Sequence, residues 1–272
     1  MKNQVLLIND LPGYGKVALS AMFPVLSHMG FNLYNLPTAL VSNTLDYGKF
    51  EILDTTEYMK NSIKVWEQLG FGFDAISTGF IVSGEQVKLV AEYCKAQSEI
   101  GTKIFVDPIM GDDGKLYNGI TEATVGHMRE LCSIADYVLP NYTEACFLTG
   151  IASKEKVTVE EGFKIVDKLR EMGSDSVVIT SVYLEDGAAV VGYDMSLGDY
   201  FNIPFEYIPV RFPGTGDIFS AVLMGKVLSG WNLKDSVQKA MDIVSGLIRL
   251  NKDNVDKFKG IPIEASISSF DI

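Results

Sequence analysis

The segment Phe212-Pro213-Gly214-Thr215-Gly216-Asp217 places two glycines and a carboxylate where a loop turns into the apolar run from Ile218 to Gly225. The first N–H groups of a helix have no partner inside it, and the helix dipole adds positive potential there. Gly214 and Gly216 carry no side chain to block an anion, so the turn suits a phosphate. Asp217, in the first turn, stands where it could take the proton from a hydroxyl attacking phosphorus. The plain alternative is a glycine turn followed by an acid that merely suits the dipole.

Other carboxylates fall at strand ends. Asp107 closes the apolar stretch Ile104 to Val106 and precedes Pro108, which keeps a helix from starting at once. Asp112 and Asp113 follow across Met110-Gly111, and Glu144 lies three residues after Asn141 in the first turn of an expected helix. Carboxylates of this kind can hold Mg²⁺ directly or through water. Asn141 and Glu144 equally fit a capping box, a structural device. Taken together with the glycine turn, the set favours magnesium-dependent phosphoryl transfer.

Rival motifs are incomplete. Gly13-Tyr14-Gly15-Lys16-Val17-Ala18 fits G-x-G-x-x-A after a strand, which points to a nicotinamide-dependent oxidoreductase. The acidic residue expected about 20 positions on is missing, because that zone reads Leu33-Tyr34-Asn35-Leu36-Pro37. A Walker loop fails because Val17 follows Lys16 where Ser or Thr is needed. His28 and His127 have no nucleophile motif near them and read as surface or helix-end residues.

The elements that must position these residues alternate. Strands are expected at Val5 to Ile8, Phe31 to Leu36, Ala39 to Val41, Ala75 to Thr78, Lys103 to Asp107, Asp136 to Leu139 and Ser176 to Thr180. Helices are expected near Val17 to Met29, Thr56 to Leu69, Glu85 to Gln97, Ala123 to Cys132, Thr143 to Leu148 and Glu160 to Met172. Such alternation implies βαβ units and a parallel sheet. Gly187 to Val210 breaks the rhythm, with antiparallel edge strands at Ala188 to Val191 and Tyr200 to Ile203. Two helices follow, Ile218 to Leu228 and Leu233 to Asn251. The polar and glycine-rich clusters lie at strand ends, where open α/β sheets bind ligands.

With 272 residues, 47% of them hydrophobic, the chain can bury one large core, and no linker or repeat divides it. A net charge of −12 argues against nucleic acid as a partner. Cys94, Cys132 and Cys146 lack paired spacing and read as reduced core thiols. The short apolar run at the N-terminus is too brief for a signal peptide and no long apolar stretch follows, so a cytoplasmic protein without membrane contact is expected.

The ordered set Val-Asp107-Pro-Ile-Met-Gly-Asp112, Pro140-Asn141-Tyr-Thr-Glu144, Val-Val-Ile-Thr180-Ser181 and Gly214-Thr-Gly-Asp217 resembles the pyridoxal/pyridoxamine kinases of the ribokinase superfamily. Pro37-Thr38 with Asn43, and Ser77-Thr-Gly79-Phe80, fall into the same pattern, so the resemblance covers essentially the whole chain. It implies a three-layer α/β/α sandwich, a mostly parallel central sheet with antiparallel edge strands, forming one domain over residues 1–272.

The implied activity is ATP-dependent phosphorylation of the hydroxymethyl group of pyridoxal, pyridoxamine or pyridoxine. Asp217 would be the catalytic base, and the amides of Gly214, Thr215 and Gly216 the anion hole. Asn141, Glu144, Thr180, Ser181 and Asp112 would lie by the nucleotide phosphates, with Asp107 and Glu144 near Mg²⁺. Asn9, Thr38, Asn43 and Phe80 would meet the pyridine ring. Residues 111–119 would be a flap over ATP. A homodimer and a monovalent cation belong to the same picture. The first loop departs from it. Many pyridoxal kinases carry Ser-His-Val-Val-Tyr-Gly, whereas this chain reads Asn9-Asp10-Leu-Pro-Gly-Tyr-Gly15, a form closer to hydroxymethylpyrimidine kinases. Those enzymes, together with the oxidoreductase and a silent nucleotide-binding regulator, are the alternatives.

Overall fold

A computed structural model describes residues 4–117 and 120–269. Along the chain run β1 (Gln4–Pro12), α1 (Ala18–His28), β2 (Asn32–Val41), β3 (Ile52–Asp54), α2 (Thr56–Leu69), β4 (Ala75–Thr78), α3 (Gly84–Glu99) and β5 (Lys103–Val106). Then come β6 (Gly111–Asp112), β7 (Lys115–Leu116), α4 (Glu122–Cys132), β8 (Tyr137–Val138), α5 (Tyr142–Thr149), α6 (Val159–Glu171) and β9 (Ser176–Leu184). The chain closes with β10 (Gly187–Asp194), β11 (Asp199–Pro204), α7 (Thr215–Leu228), α8 (Leu233–Asn251) and α9 (Ile263–Ser266). Two compact units result, one from Met1–Asp74 with Ile208–Ile272 and the other from Ala75–Tyr207.

In the first unit β1 runs parallel to β2, with Val5 to Ile8 wholly buried. The register goes from Asn9↔Pro37 to Leu11↔Leu40, so Asp10 alone faces both Thr38 and Ala39. That bulge explains two departures from the sequence reading. The first strand continues past Ile8 through Asp10 and Pro12, and the second is not broken at Pro37, which sits where the ladder is already interrupted and a missing N–H costs little. β3, which the sequence reading missed, pairs antiparallel with β2. In α7, Ile218 to Gly225 are all buried, as expected of a helix that is apolar on every side. Its packing against α1 and α8 fixes the glycine turn that precedes it.

In the second unit β4, β5, β8 and β9 are parallel neighbours in that order. β9, β10 and β11 follow as an antiparallel meander, as the broken rhythm after Gly187 implied. Three helices here open with reciprocal capping boxes, Thr121 with Thr124, Asn141 with Glu144, and Thr158 with Glu161. The segment read as a flap begins as a two-stranded hairpin, β6 with β7. Asp113 (φ 50°) and Gly114 (φ 74°) form its tip, the left-handed pair a tight hairpin turn needs. Asn118 and Gly119 of that flap lie outside the described residues. All three cysteines are buried and unbridged, and burial pushes the Cys94 thiol up to about 12. His127 departs from its expected surface place: its ring lies over Gly84, where a Cβ would come within 2.6 Å. Among the described residues no helix is long and apolar enough to cross a membrane.

Candidate active site

The first unit builds a carboxylate at a helix start. Gly214 caps α7 at φ 86°, and no side chain caps the first turn. Thr215 Oγ1 donates to the Phe212 carbonyl (3.2 Å), which leaves the turn's backbone face to an anion. Asp217 Oδ2 accepts the N–H of Ala18 (2.8 Å) and Oδ1 accepts from Asn9 Nδ2 (3.4 Å). The residue keeps some accessible surface, yet desolvation by the surrounding atoms is the largest effect on its carboxyl. Against these hydrogen bonds, burial raises it to about 6, so at neutral pH it is ionised and close to the working range of a general base. Ala18 holds φ 48°, unusual for a residue with a side chain, so local strain accompanies the N–H it aims at Asp217.

The substrate-side residues divide. Thr38 is fully buried in the β2 bulge. Asn9 is 2% exposed, and its amide also reaches Met22 Sδ (3.9 Å). Asn43 donates to the carbonyls of Thr44 (3.0 Å) and Lys49 (2.8 Å), folding its own loop. Phe80, partly buried, follows β4 in the second unit. The first glycine loop is engaged by protein: Gly13 N–H donates to Val41 O (2.7 Å) and Lys16 N–H to Lys259 O (2.8 Å). Those amides are therefore not offered to a dinucleotide, which removes the main support for the oxidoreductase reading.

The second unit gathers the remaining acids round the start of α5. Glu144 Oε2 accepts the Asn141 N–H (2.9 Å) while Asn141 Oδ1 accepts the Glu144 N–H (2.9 Å). Glu144 Oε1 also accepts from Met110 N (3.0 Å) and Gly111 N (3.5 Å). Asn141 Nδ2 donates to Gly111 O (2.8 Å), and Thr143 Oγ1 accepts from Gly114 N (2.9 Å). The hairpin is thus tied to the helix start at three places. Burial, then the neighbouring charge of Asp107, hold the Glu144 carboxyl well above the usual carboxylate range. Thr180 bridges to Asn141, its N–H donating to Pro140 O (3.0 Å). Ser181 is exposed at φ 60°, in a bulge where Thr180 and Ser181 face Val190. Asp112 is exposed on the hairpin.

Glu144 is therefore structural as well as acidic. Glu144→Ala would strip acceptors from three backbone N–H groups, costing about 2–4 kcal/mol. A drop in the urea midpoint of the metal-free protein is the expected reading. An unchanged midpoint would mean that the capping box contributes nothing.

Ala18 escaped the sequence reading as a site residue, and Asp10 was read there only as part of the departing first loop. Ala18 had one signal, the small residue at the end of Gly13-x-Gly15-x-x-Ala18. Asp10 had its departure from the expected loop.

A parallel α/β core, a glycine turn opening a buried helix and a carboxylate in its first turn define a kinase of ribokinase-like fold. The chain belongs to the phosphomethylpyrimidine kinase family, whose profile matches residues 25–262. Its relatives include the pyridoxal kinase of Arabidopsis thaliana, 28% identical over 271 residues, 93% of this chain and 82% of that protein. A Bacteroides thetaiotaomicron protein provisionally named a phosphomethylpyrimidine kinase, solved with pyridoxal, matches with TM-score 0.94 and 33% identity over 100% of this chain and 96% of its own. The pyridoxal kinase of Leishmania donovani, solved with ADP and pyridoxamine, shares the fold with TM-score 0.85 at 24% identity, over 97% of this chain and 94% of that one.

Proposed function

We propose that this protein transfers the γ-phosphoryl group of ATP to the hydroxymethyl group of pyridoxal, pyridoxamine or pyridoxine. The observation that carries this reading is Asp217, an ionised and partly buried carboxylate in the first turn of α7, beside the uncapped amides after Gly214. In the reaction the hydroxymethyl proton passes to Asp217. The freed oxygen bonds to the γ-phosphorus, and the β–γ bridging oxygen leaves with ADP. The amides of Gly214, Thr215 and Gly216 meet the charge on the transferred group. Asn141, Thr180, Ser181 and Asp112 hold the nucleotide phosphates.

The acids at α5 suit Mg²⁺. Asp107 acts electrostatically on buried Glu144, and a divalent cation relieves such a pair. Glu144 already accepts three backbone N–H groups, so it would hold such an ion through water, as Mg²⁺ tolerates. When bound, the ion supplies positive charge against the phosphates. On the motif resemblance that runs from Asp107 to Asp217, we further propose one ribokinase-like domain, a homodimer, a cytoplasmic location and a monovalent cation.

A second reading, hydroxymethylpyrimidine as acceptor, is favoured by Asp10 in place of the serine of many pyridoxal kinases. Pyridoxal bound to the Bacteroides relative supports the first reading over it. ADP release, followed with each of the three vitamers and with hydroxymethylpyrimidine, tests both. Turnover of at least one vitamer, at ten or more times the kcat/KM of the pyrimidine, is expected. Turnover of the pyrimidine alone, or of none of the four, rejects the assignment.

A further inference from the structure

Just past the residues read as phosphate contacts, β9 carries an aromatic ring into solvent. From Ser181 to Leu184 burial alternates, with Ser181 and Tyr183 exposed and Val182 and Leu184 buried. Ser181 and Tyr183 therefore share one face of the strand, about 6–7 Å apart along it. The Tyr183 backbone is fixed from both sides. It pairs with Ala188 of β10, and its carbonyl accepts the N–H of Val157 (3.0 Å). Phe205 N–H donates to Ala188 O (2.9 Å), which brings the chain after β11 back beside that pair. Tyr207 then meets Tyr183 edge to face, with ring centroids 6.1 Å apart and planes at 66°. The rings remain 43% and 59% exposed, so this contact leaves aromatic surface open on both.

A single exposed tyrosine is ordinary, but two rings in contact on a pinned backbone offer a planar ligand a surface at little ordering cost. Charge selects which part of a ligand fits there. Burial first, then Tyr207, then the charges of Asp113 and Asp112 push the Tyr183 phenol up, so the tip of the β6–β7 hairpin lies within electrostatic reach. Glu185 and Asp186 follow Tyr183 within three residues, and Glu206 precedes Tyr207. Phosphate is repelled from such a place, while an uncharged aromatic ring is not. We propose that Tyr183 and Tyr207 form the platform on which the base of ATP stacks, just beyond the phosphate contacts at Thr180 and Ser181. This rests on reading Thr180 and Ser181 as nucleotide residues, and it adds the side chains that hold the other end of the nucleotide.

Calorimetric titration with ADP and Mg²⁺, and separately with inorganic tripolyphosphate, tests the platform without any acceptor. Tyr183→Ala and Tyr207→Ala should each weaken ADP about 10-fold, within the usual contribution of base stacking, and leave tripolyphosphate binding as in the parent. Phe at either position keeps the ring and should bind ADP like the parent. In turnover, the KM for ATP should rise in the Ala variants while kcat and the KM for the vitamer stay put. An Ala variant of either tyrosine that binds ADP like the parent overturns the proposal. Equal losses of ADP and tripolyphosphate overturn it too, since they would mark a disturbed phosphate site. If Tyr183→Ala shows no cooperative melting, Tyr183→Leu, which keeps bulk without a ring, decides by the same criteria. The two readings separate. If no vitamer and no pyrimidine is phosphorylated but the ADP affinities shift as stated, the kinase reading falls and the platform stands. Vitamer turnover with ADP affinity untouched in the Ala variants removes the platform alone, and a parent that binds no ADP removes both.

Discussion

Asp217→Asn should lower kcat by about 10²–10⁴-fold, the usual contribution of a positioned general base. The amide keeps the shape and one acceptor for the Ala18 N–H, but it cannot take the hydroxymethyl proton. ATP binding should persist, since the amides of the glycine turn and the residues at α5 are untouched. Stability gives a second readout with a definite sign. The folded pKa of about 6 lies above the ordinary 3.8, so the fold favours the protonated carboxyl. That costs nothing below about pH 4, grows as pH rises, and is fully present above about pH 6. Removing the charge should therefore leave the melting temperature at pH 8 unchanged or higher. Loss of turnover with an intact melt identifies a chemical role. Near-normal kcat would remove Asp217 as the base, and lost turnover accompanied by a lowered melt would mean that the side chain was holding the turn together.

How far the sequence revealed this site depends on the range of the interactions. α2 and α8 begin and end where the sequence reading places them, because apolar spacing is a local signal, and in the structure Gly70 and Asn232 flank them as caps. β3 and the β6–β7 hairpin have strands of two or three residues, too short to carry a period. Asp10 and Pro12 look like loop residues, yet pairing with β2 draws them into β1, a tertiary effect that overrides local preference.

The site divides in the same way. The glycine turn and the Asn141–Glu144 spacing lie within a few residues and could be read directly. The partners of Asp217 stand 208 and 199 residues away, at Asn9 and Ala18, and only folding brings them together. Glu144 shows the limit of spacing from the other side. Asn-x-x-Glu fits both a capping box and a metal-side acid, and in the structure the box is made while the acid stays under the influence of Asp107.

Gly214→Ala should damage both fold and rate, and Gly216→Ala should separate the two. A Cβ on Gly214 would sit 2.2 Å from the Lys16 carbonyl oxygen, on a backbone at φ 86°. That carbonyl cannot swing aside like a side chain, because the same loop segment is anchored by Lys16 N–H to Lys259 O (2.8 Å). It is also crowded from Gly260, where a Cβ would come within 2.7 Å of the same oxygen. The left-handed conformation and the overlap together should cost about 2–5 kcal/mol. Whatever backbone shift relieves the clash moves the first amides of α7, and a displacement of that size near reacting atoms costs about 10²-fold in rate. At Gly216 a Cβ would meet no protein atom within 4 Å, so Ala there should be neutral or slightly stabilising for the helix. Its methyl would project into the open space where the phosphate is proposed to approach. Gly216→Ala should therefore melt like the parent and turn over more slowly. A parent-like rate in that variant would place the anion elsewhere, and a parent-like melt for Gly214→Ala would show that the left-handed cap is not needed to hold the turn.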